Sequence, residues 1–315
     1  MFRKPVIISI HGYSLSRKEK KIIKVQKPWG IILFKRNIKT FSQLKKLTTD
    51  IRNCLSDPFY PILIDEEGGK VSRFSNLINS RELSPKFFGS LYEKNKINGK
   101  LIYEYYLNSI CSVLKKTGIN INTIPVLDIE NKKTHEVIKD RCYSKNIKTI
   151  KNLGKVCINI LKKNKIASIA KHIPGHGKAN ADSHKRTPLI RESFKKLNLN
   201  DFSTFKNLNS HFVMTAHIIY KNIDPNYVAT HSKILIDKII RKKLNFKGLI
   251  ISDDICMKAL KGNLLIKAKK SLEAGCNLVL YCGGKSNESL KILKGLNKID
   301  KFTSKKTAQL YHFLR

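Results

Sequence analysis

A chain of 315 residues, 41% of them hydrophobic, suits one large domain or two modest ones, and no apolar run nears the roughly 18–20 residues of a membrane-spanning helix. Its 62 Lys+Arg against 23 Asp+Glu give a formal net charge of +39. The seven cysteines (54, 111, 142, 157, 256, 276, 282) are scattered and odd in number, with no Cys-x-x-Cys pair, which argues against a disulfide framework and a structural zinc site.

The basic excess has two readings, a polyanion partner or a solvated surface in a lysine-rich composition. The second is favoured. The excess is mostly lysine rather than the arginine preferred for bidentate phosphate contacts, it is spread along the whole chain, and no nucleic-acid motif accompanies it. No nucleic-acid partner is expected, although a basic nucleic-acid-binding protein stays open as the non-enzyme alternative.

In chain order, a basic start leads into an apolar run at 6–10 that stops at His11 with no small-residue cleavage site, so a cytoplasmic protein is expected. Further apolar, β-branched runs follow at 31–34, 61–64, 119–126, 166–170, 212–218, 248–252 and 277–281. Such runs suit strands buried on both faces of a parallel sheet. Helix-like stretches lie at 42–55, 101–117, 147–162, 232–244 and 264–274, with Gly275 a helix stop and 303–314 a closing helix. The alternation predicts an α/β fold, and about eight strands in this length predict a (β/α)8 TIM-type barrel. An open doubly wound sheet is disfavoured, because no Gly-x-Gly-x-x-Gly follows the first strand. With no linker or repeat to divide the chain, residues 1–315 are expected to form a single catalytic barrel domain.

Several strand candidates end in titratable groups. The run at 61–64 leads into Asp65, 166–170 into Lys171-His172, 212–218 contains His217, and 248–252 leads into Asp253-Asp254. In a barrel these strand ends share one rim, where active sites are built. Of Asp253 and Asp254, neighbours on an extended chain, one is expected to reach the centre and the other to cap or orient. Asp65, Arg73 and Arg141 could bind sugar hydroxyls or pair among themselves, and Asp128 could be a strand-end ligand or a loop cap.

The segment 171–184 reads as an irregular loop because Pro174, Gly175 and Gly177 interrupt regular structure. Within it, Asp182 can orient His184 as a general acid that later serves as base. A metal reading of His172, His176, Asp182 and His184 is disfavoured, because Pro174-Gly175 keeps the rings off one helical face, and no metal or organic cofactor is expected. No Gly-x-Ser-x-Gly elbow supports a serine nucleophile.

Lys171-His172-Ile173-Pro174-Gly175-His176-Gly177 followed by Asp182-Ser183-His184 resembles the signature of bacterial β-N-acetylglucosaminidases of glycoside hydrolase family 3. Ile64-Asp65-Glu66-Glu67-Gly68-Gly69-Lys70-Val71-Ser72-Arg73-Phe74, Pro125-Val126-Leu127-Asp128, Asp140-Arg141, Val213-Met214-Thr215-Ala216-His217 and Gly248-Leu249-Ile250-Ile251-Ser252-Asp253-Asp254 match in the family's order. The resemblance covers nearly the whole chain and implies a (β/α)8 barrel. It implies Asp253 as nucleophile, His184 as acid/base with Asp182 its partner, and Asp65, Arg73, Arg141, Lys171 and His172 as holders of a terminal N-acetylglucosamine. The implied activity is that of a retaining exo-β-N-acetylglucosaminidase acting on muropeptides in cell-wall recycling, and a monomer is expected. A β-glucosidase-like hydrolase and an N-acetylglucosaminide phosphorylase are alternatives on the same site. Departures are Glu66 where Gln is usual, Lys70 where Arg is usual, Arg141-Cys142-Tyr143, and the basic Lys185-Arg186 after the dyad.

Overall fold

The apolar runs fold as strands because both of their faces are covered. In β1 (Lys4–Ser9) five of six residues are buried, and in β2 (Pro28–Leu33) all six are. The computed structural model describes residues 2–131, 139–178 and 187–315. The strands that follow are β3 (Ile62–Ile64), β4 (Ile121–Asn122), β5 (Ala167–Ile173), β6 (Leu189–Ile190), β7 (Phe212–Thr215), β8 (Ile219–Tyr220), β9 (Leu249–Asp254) and β10 (Leu278–Tyr281). All but β6 and β8 close a parallel barrel in the order β1-β10-β9-β7-β5-β4-β3-β2, while β6 and β8 pair as a separate two-stranded sheet. The eight expected runs supply the eight barrel strands, and the TIM-type architecture is present.

Two strands run further than their apolar composition predicts. β5 continues through Lys171 and His172 because β7 keeps pairing with it, Lys171 against Met214 and Ile173 against Thr215. β9 likewise includes Asp253 and Asp254, the latter registered on Leu280. The segment from residue 171 onward is therefore not irregular from its start. Its first three residues are strand, and the irregular part begins at Pro174.

Side chains alternate between two apolar layers. Ile7, Ile32, Leu63, Ile121, Ile169, Met214 and Ile251 fill the barrel interior. Ile8, Ile31, Ile62, Ala170, Val213, Ile250 and Val279 face outward against the helices. The helix Ile147–Lys163 starts at Asn146, whose side chain accepts from the Lys148 amide, and buries Ile150, Leu153, Cys157 and Leu161. Its Gly154 lets the helix approach Leu127, to which a Cβ there would come within 2.5 Å. That contact seats the backbone just ahead of Asp128. The helix Arg17–Gln26 carries few apolar residues and is set by a Ser16–Glu19 capping box.

The last helix, Lys301–Leu314, closes the barrel at the amino-terminal ends of the strands. Leu310 and Phe313 join the interior cluster, and the Trp29 indole N–H donates to Thr307 Oγ1 at 2.9 Å in a fully buried bond. Thr307→Val keeps the shape and strands the indole donor. A loss of about 1–3 kcal/mol in urea unfolding is expected, and an unchanged midpoint would show that the bond does not hold the base. No helix among the described residues is long and apolar enough to cross a membrane.

Candidate active site

Because the barrel strands are parallel, their carboxyl ends meet on one rim, and chemistry gathers there from separate parts of the chain. Asp65 follows β3. Its Oδ1 accepts from Lys171 Nζ on β5 and from Thr123 Oγ1, the latter at 2.5 Å, while Oδ2 accepts from Arg73. Lys171 Nζ also donates to Thr123 Oγ1 at 2.8 Å and lies 2.5 Å from Glu67 Oε1. Arg141 grips Glu67 with two bonds, Nε to Oε2 at 2.7 Å and Nη2 to Oε1 at 2.8 Å. Burial alone would raise the Asp65 carboxyl, but Lys171, Arg73 and Arg141 outweigh it and hold the group well below the usual carboxylate range.

His172 joins this lattice from β5. Arg141 Nη2 approaches His172 Nε2 at 3.3 Å, and His172 Nδ1 lies 2.7 Å from Asp128 Oδ2. A guanidinium can only donate, so Nε2 accepts and Nδ1 carries the hydrogen given to Asp128. With both ring nitrogens engaged, His172 has no lone pair for a metal. Asp128 also receives the His176 amide at 2.6 Å, so one fully buried carboxylate fixes both the ring and the chain beyond Pro174. Burial would raise Asp128 as well, and His172 overrides it downward. His176 is pushed to about 4, first by burial and then by His172, and is uncharged at neutral pH.

Asp253, at the end of β9, is only half buried. Its Oδ1 accepts the Asp254 amide at 2.8 Å. Burial works against its charge, but His217, His172 and Lys171 together lower its carboxyl below the ordinary range. It is thus an ionised carboxylate held beside the lattice. Asp254 turns to the backbone, its Oδ1 accepting the amides of Cys256 at 3.0 Å and Cys282 at 3.1 Å. His217 is fixed by Thr230 at 2.7 Å and by the Asp254 carbonyl at 3.1 Å. Nε2 donates to that carbonyl, and Nδ1 meets the Thr230 hydroxyl, which can accept or donate.

The structure therefore brings together Asp65, Arg73, Arg141, Lys171 and His172, with Asp253 alongside. Asp182 and His184 lie outside the described residues. The sequence reading assigned no part to Glu67 or Thr123 and left Asp128 open. Glu67 sits two residues beyond Asp65, after the strand end, and that period-two spacing is the signal that could have marked it.

The Glycosyl hydrolase family 3 N terminal domain model matches residues 6–310. The chain belongs to glycoside hydrolase family 3. It is 34% identical over 318 residues to a beta-hexosaminidase of Psychromonas ingrahamii, covering 98% of this chain and 89% of that protein. A beta-hexosaminidase of Nitrosomonas eutropha is 31% identical over 318 residues, covering 99% of this chain and 89% of its own length. Among solved structures, NagZ from Neisseria gonorrhoeae in complex with N-trifluoroacetyl-D-glucosamine superposes with a TM-score of 0.90 at 29% identity, covering 100% of this chain and 90% of that one. A family 3 enzyme is a glycoside hydrolase, and this one resembles beta-hexosaminidases over nearly its whole length. Carboxylates and cations gathered at strand ends can bind a hydroxyl-rich ligand, and the ionised Asp253 beside them has the chemistry of a nucleophile.

Proposed function

We propose that this family 3 hydrolase is a retaining exo-β-N-acetylglucosaminidase, a single catalytic domain that removes terminal N-acetylglucosamine from muropeptide-type glycosides during cytoplasmic cell-wall recycling. The observation that carries the reading is the ionised, half-exposed Asp253 set beside the Asp65–Arg73–Lys171–Glu67–Arg141–His172 lattice. Relatives named beta-hexosaminidase and a superposable NagZ bound to an N-acylated glucosamine support the choice of sugar.

In the proposed reaction, Asp65, Arg73, Arg141, Lys171 and His172 hold the terminal sugar. Asp253 Oδ attacks the anomeric carbon as the bond to the aglycone oxygen breaks, and His184 gives that oxygen a proton. His184, oriented by Asp182, then takes a proton from water as the water oxygen displaces Asp253. Two inversions return the starting configuration. No metal or cofactor enters these steps.

The first test is turnover of an aryl β-N-acetylglucosaminide compared with the matching β-glucoside. The expected result is release from the N-acetylglucosaminide at a kcat/KM at least about tenfold higher, since a site built for the acetamido group leaves polar atoms unpaired with the analogue. Equal rates, or preference for the glucoside, would overturn the assignment of the sugar. Phosphate-dependent formation of a sugar phosphate would overturn hydrolysis.

A further inference from the structure

Glu66 stands between two residues of the site, yet it touches neither Lys171 nor Arg141. Its side chain turns away from the rim into the protein, 2% exposed. There its Oε2 gathers the turn that follows, accepting the Arg73 amide at 2.5 Å, the Phe74 amide at 3.1 Å and the Ser72 hydroxyl at 3.3 Å. The Glu66 backbone is itself pinned to β4, its N–H donating to Asn122 Oδ1 at 3.1 Å and its carbonyl accepting from Asn122 Nδ2 at 2.9 Å. Phe74 is fully buried and anchors the far side of the turn. Arg73 projects back from this turn, its guanidinium on Asp65 and 5.3 Å over the Phe34 ring.

We infer that Glu66 is a positioning residue for sugar binding, whose carboxylate holds the 72–74 turn so that Arg73 meets Asp65 and the terminal sugar in one fixed geometry. This rests on the proposed reading of Asp65 and Arg73 as sugar-binding groups. The bonds that Glu66 accepts are charge-assisted, and such bonds are roughly twice as strong as neutral ones. A neutral group in the same place holds the turn less firmly.

The second carboxylate oxygen explains when that loss occurs. Glu66 Oε1 is buried with no hydrogen-bond partner among the described residues. The charged and titratable groups that sense Glu66 are Arg73 on its own turn and Tyr106 from the helix Lys96–Lys116, whose phenol is itself raised, first by burial and then by Glu66. Burial outweighs the bonds to Phe74, Arg73 and Ser72 and lifts the Glu66 carboxyl to about 7. The charge that holds the turn is thus present above that pH and lost below it.

The experiment compares the full chain with Glu66→Gln from pH 5.5 to 8.5, measuring kcat and KM on an aryl β-N-acetylglucosaminide and the affinity for free N-acetylglucosamine. Glutamine fits the same space and mimics the protonated acid at every pH. The ratio of variant to parent KM is expected to be about ten at pH 8.5 and to fall to about one at pH 5.5, a tenfold change for one hydrogen-bond-sized effect. The ratio of kcat values should stay flat. Taking ratios cancels the titration of groups common to both proteins. A KM ratio that does not vary with pH, or an effect on kcat alone, overturns the proposal. Should Glu66→Gln fail to fold, Ser72→Ala removes one donor to the same oxygen and is expected to move the parent's KM midpoint to higher pH; an unmoved midpoint overturns it. A parent that neither turns over the glycoside nor binds N-acetylglucosamine defeats the assigned function, whereas an active parent with a constant ratio defeats the role of Glu66 alone.

Discussion

Asp253→Gly is expected to lower kcat/KM on an activated aryl β-N-acetylglucosaminide by roughly 10⁴-fold or more, the scale set by removal of a nucleophile that acts as part of a unit. The reason lies in what surrounds it. His217, His172 and Lys171 keep the Asp253 carboxyl ionised in spite of its burial, and the neighbouring described carboxylates of the rim are already engaged, Asp254 by the amides of Cys256 and Cys282. Asp65 is taken by Lys171 and Arg73, Glu67 by Arg141 and Lys171, and Asp128 by His172. The decisive form of the experiment follows the anomeric configuration. The parent should release the β-sugar first, through two inversions. Asp253→Gly supplied with azide should form the α-glycosyl azide, because the small anion enters the vacated space and inverts the centre once. First release of the α-sugar by the parent would sink the double displacement, and near-parental activity in Asp253→Gly would sink the role of Asp253.

Glu67→Ala is expected to cost about 3–5 kcal/mol of stability, the scale of breaking one partner out of a buried ion pair. Glu67 has a fully buried side chain and takes both the bidentate Arg141 and Lys171, which are themselves largely enclosed. Its loss leaves Arg141 with no carboxylate among the described residues other than those it meets at a distance, and leaves Lys171 with Asp65 alone. Denaturant unfolding measures the loss. Adding Arg141→Leu to Glu67→Ala should cost less than the sum of the single changes, since the stranded charge is removed with its partner. A variant within about 1 kcal/mol of the parent, below the usual cost of an unpaired buried charge, would mean that water or a rearranged neighbour replaces Glu67.

The barrel was legible because strands covered on both faces must be continuous apolar runs, and all eight runs became barrel strands. Their ends were less legible. Lys171, His172, Asp253 and Asp254 extend strands that composition alone would stop earlier, since pairing with β7 and β10 rather than apolarity sustains them. Helices were missed where tertiary packing or a cap does the work of periodicity, as in Arg17–Gln26 and Pro85–Lys94. In the site, Asp65, Lys171 and His172 could be placed on one rim because each falls at the end of an apolar run. Arg73 and Arg141 sit on connecting segments, where residue chemistry leaves sugar binding and mutual ion pairing both open, and the family's motif order favours the first. Glu67 is harder to read because its role depends on Arg141, 74 positions further along, and its two-residue spacing from Asp65 is a weak local mark of that meeting.

The close pairing on the rim also separates two properties of the molecule. The chain as a whole carries a net charge of +39, yet Asp65, Glu67, Asp128 and Asp253 outnumber Arg73, Arg141 and Lys171 where the sugar is proposed to sit. The exterior is a field that draws anions from a distance, while on the rim opposite charges nearly balance. Screening by salt acts on the first and hardly reaches the second. Ionic strength should therefore alter how fast an anionic glycoside arrives far more than how firmly its uncharged terminal sugar is held.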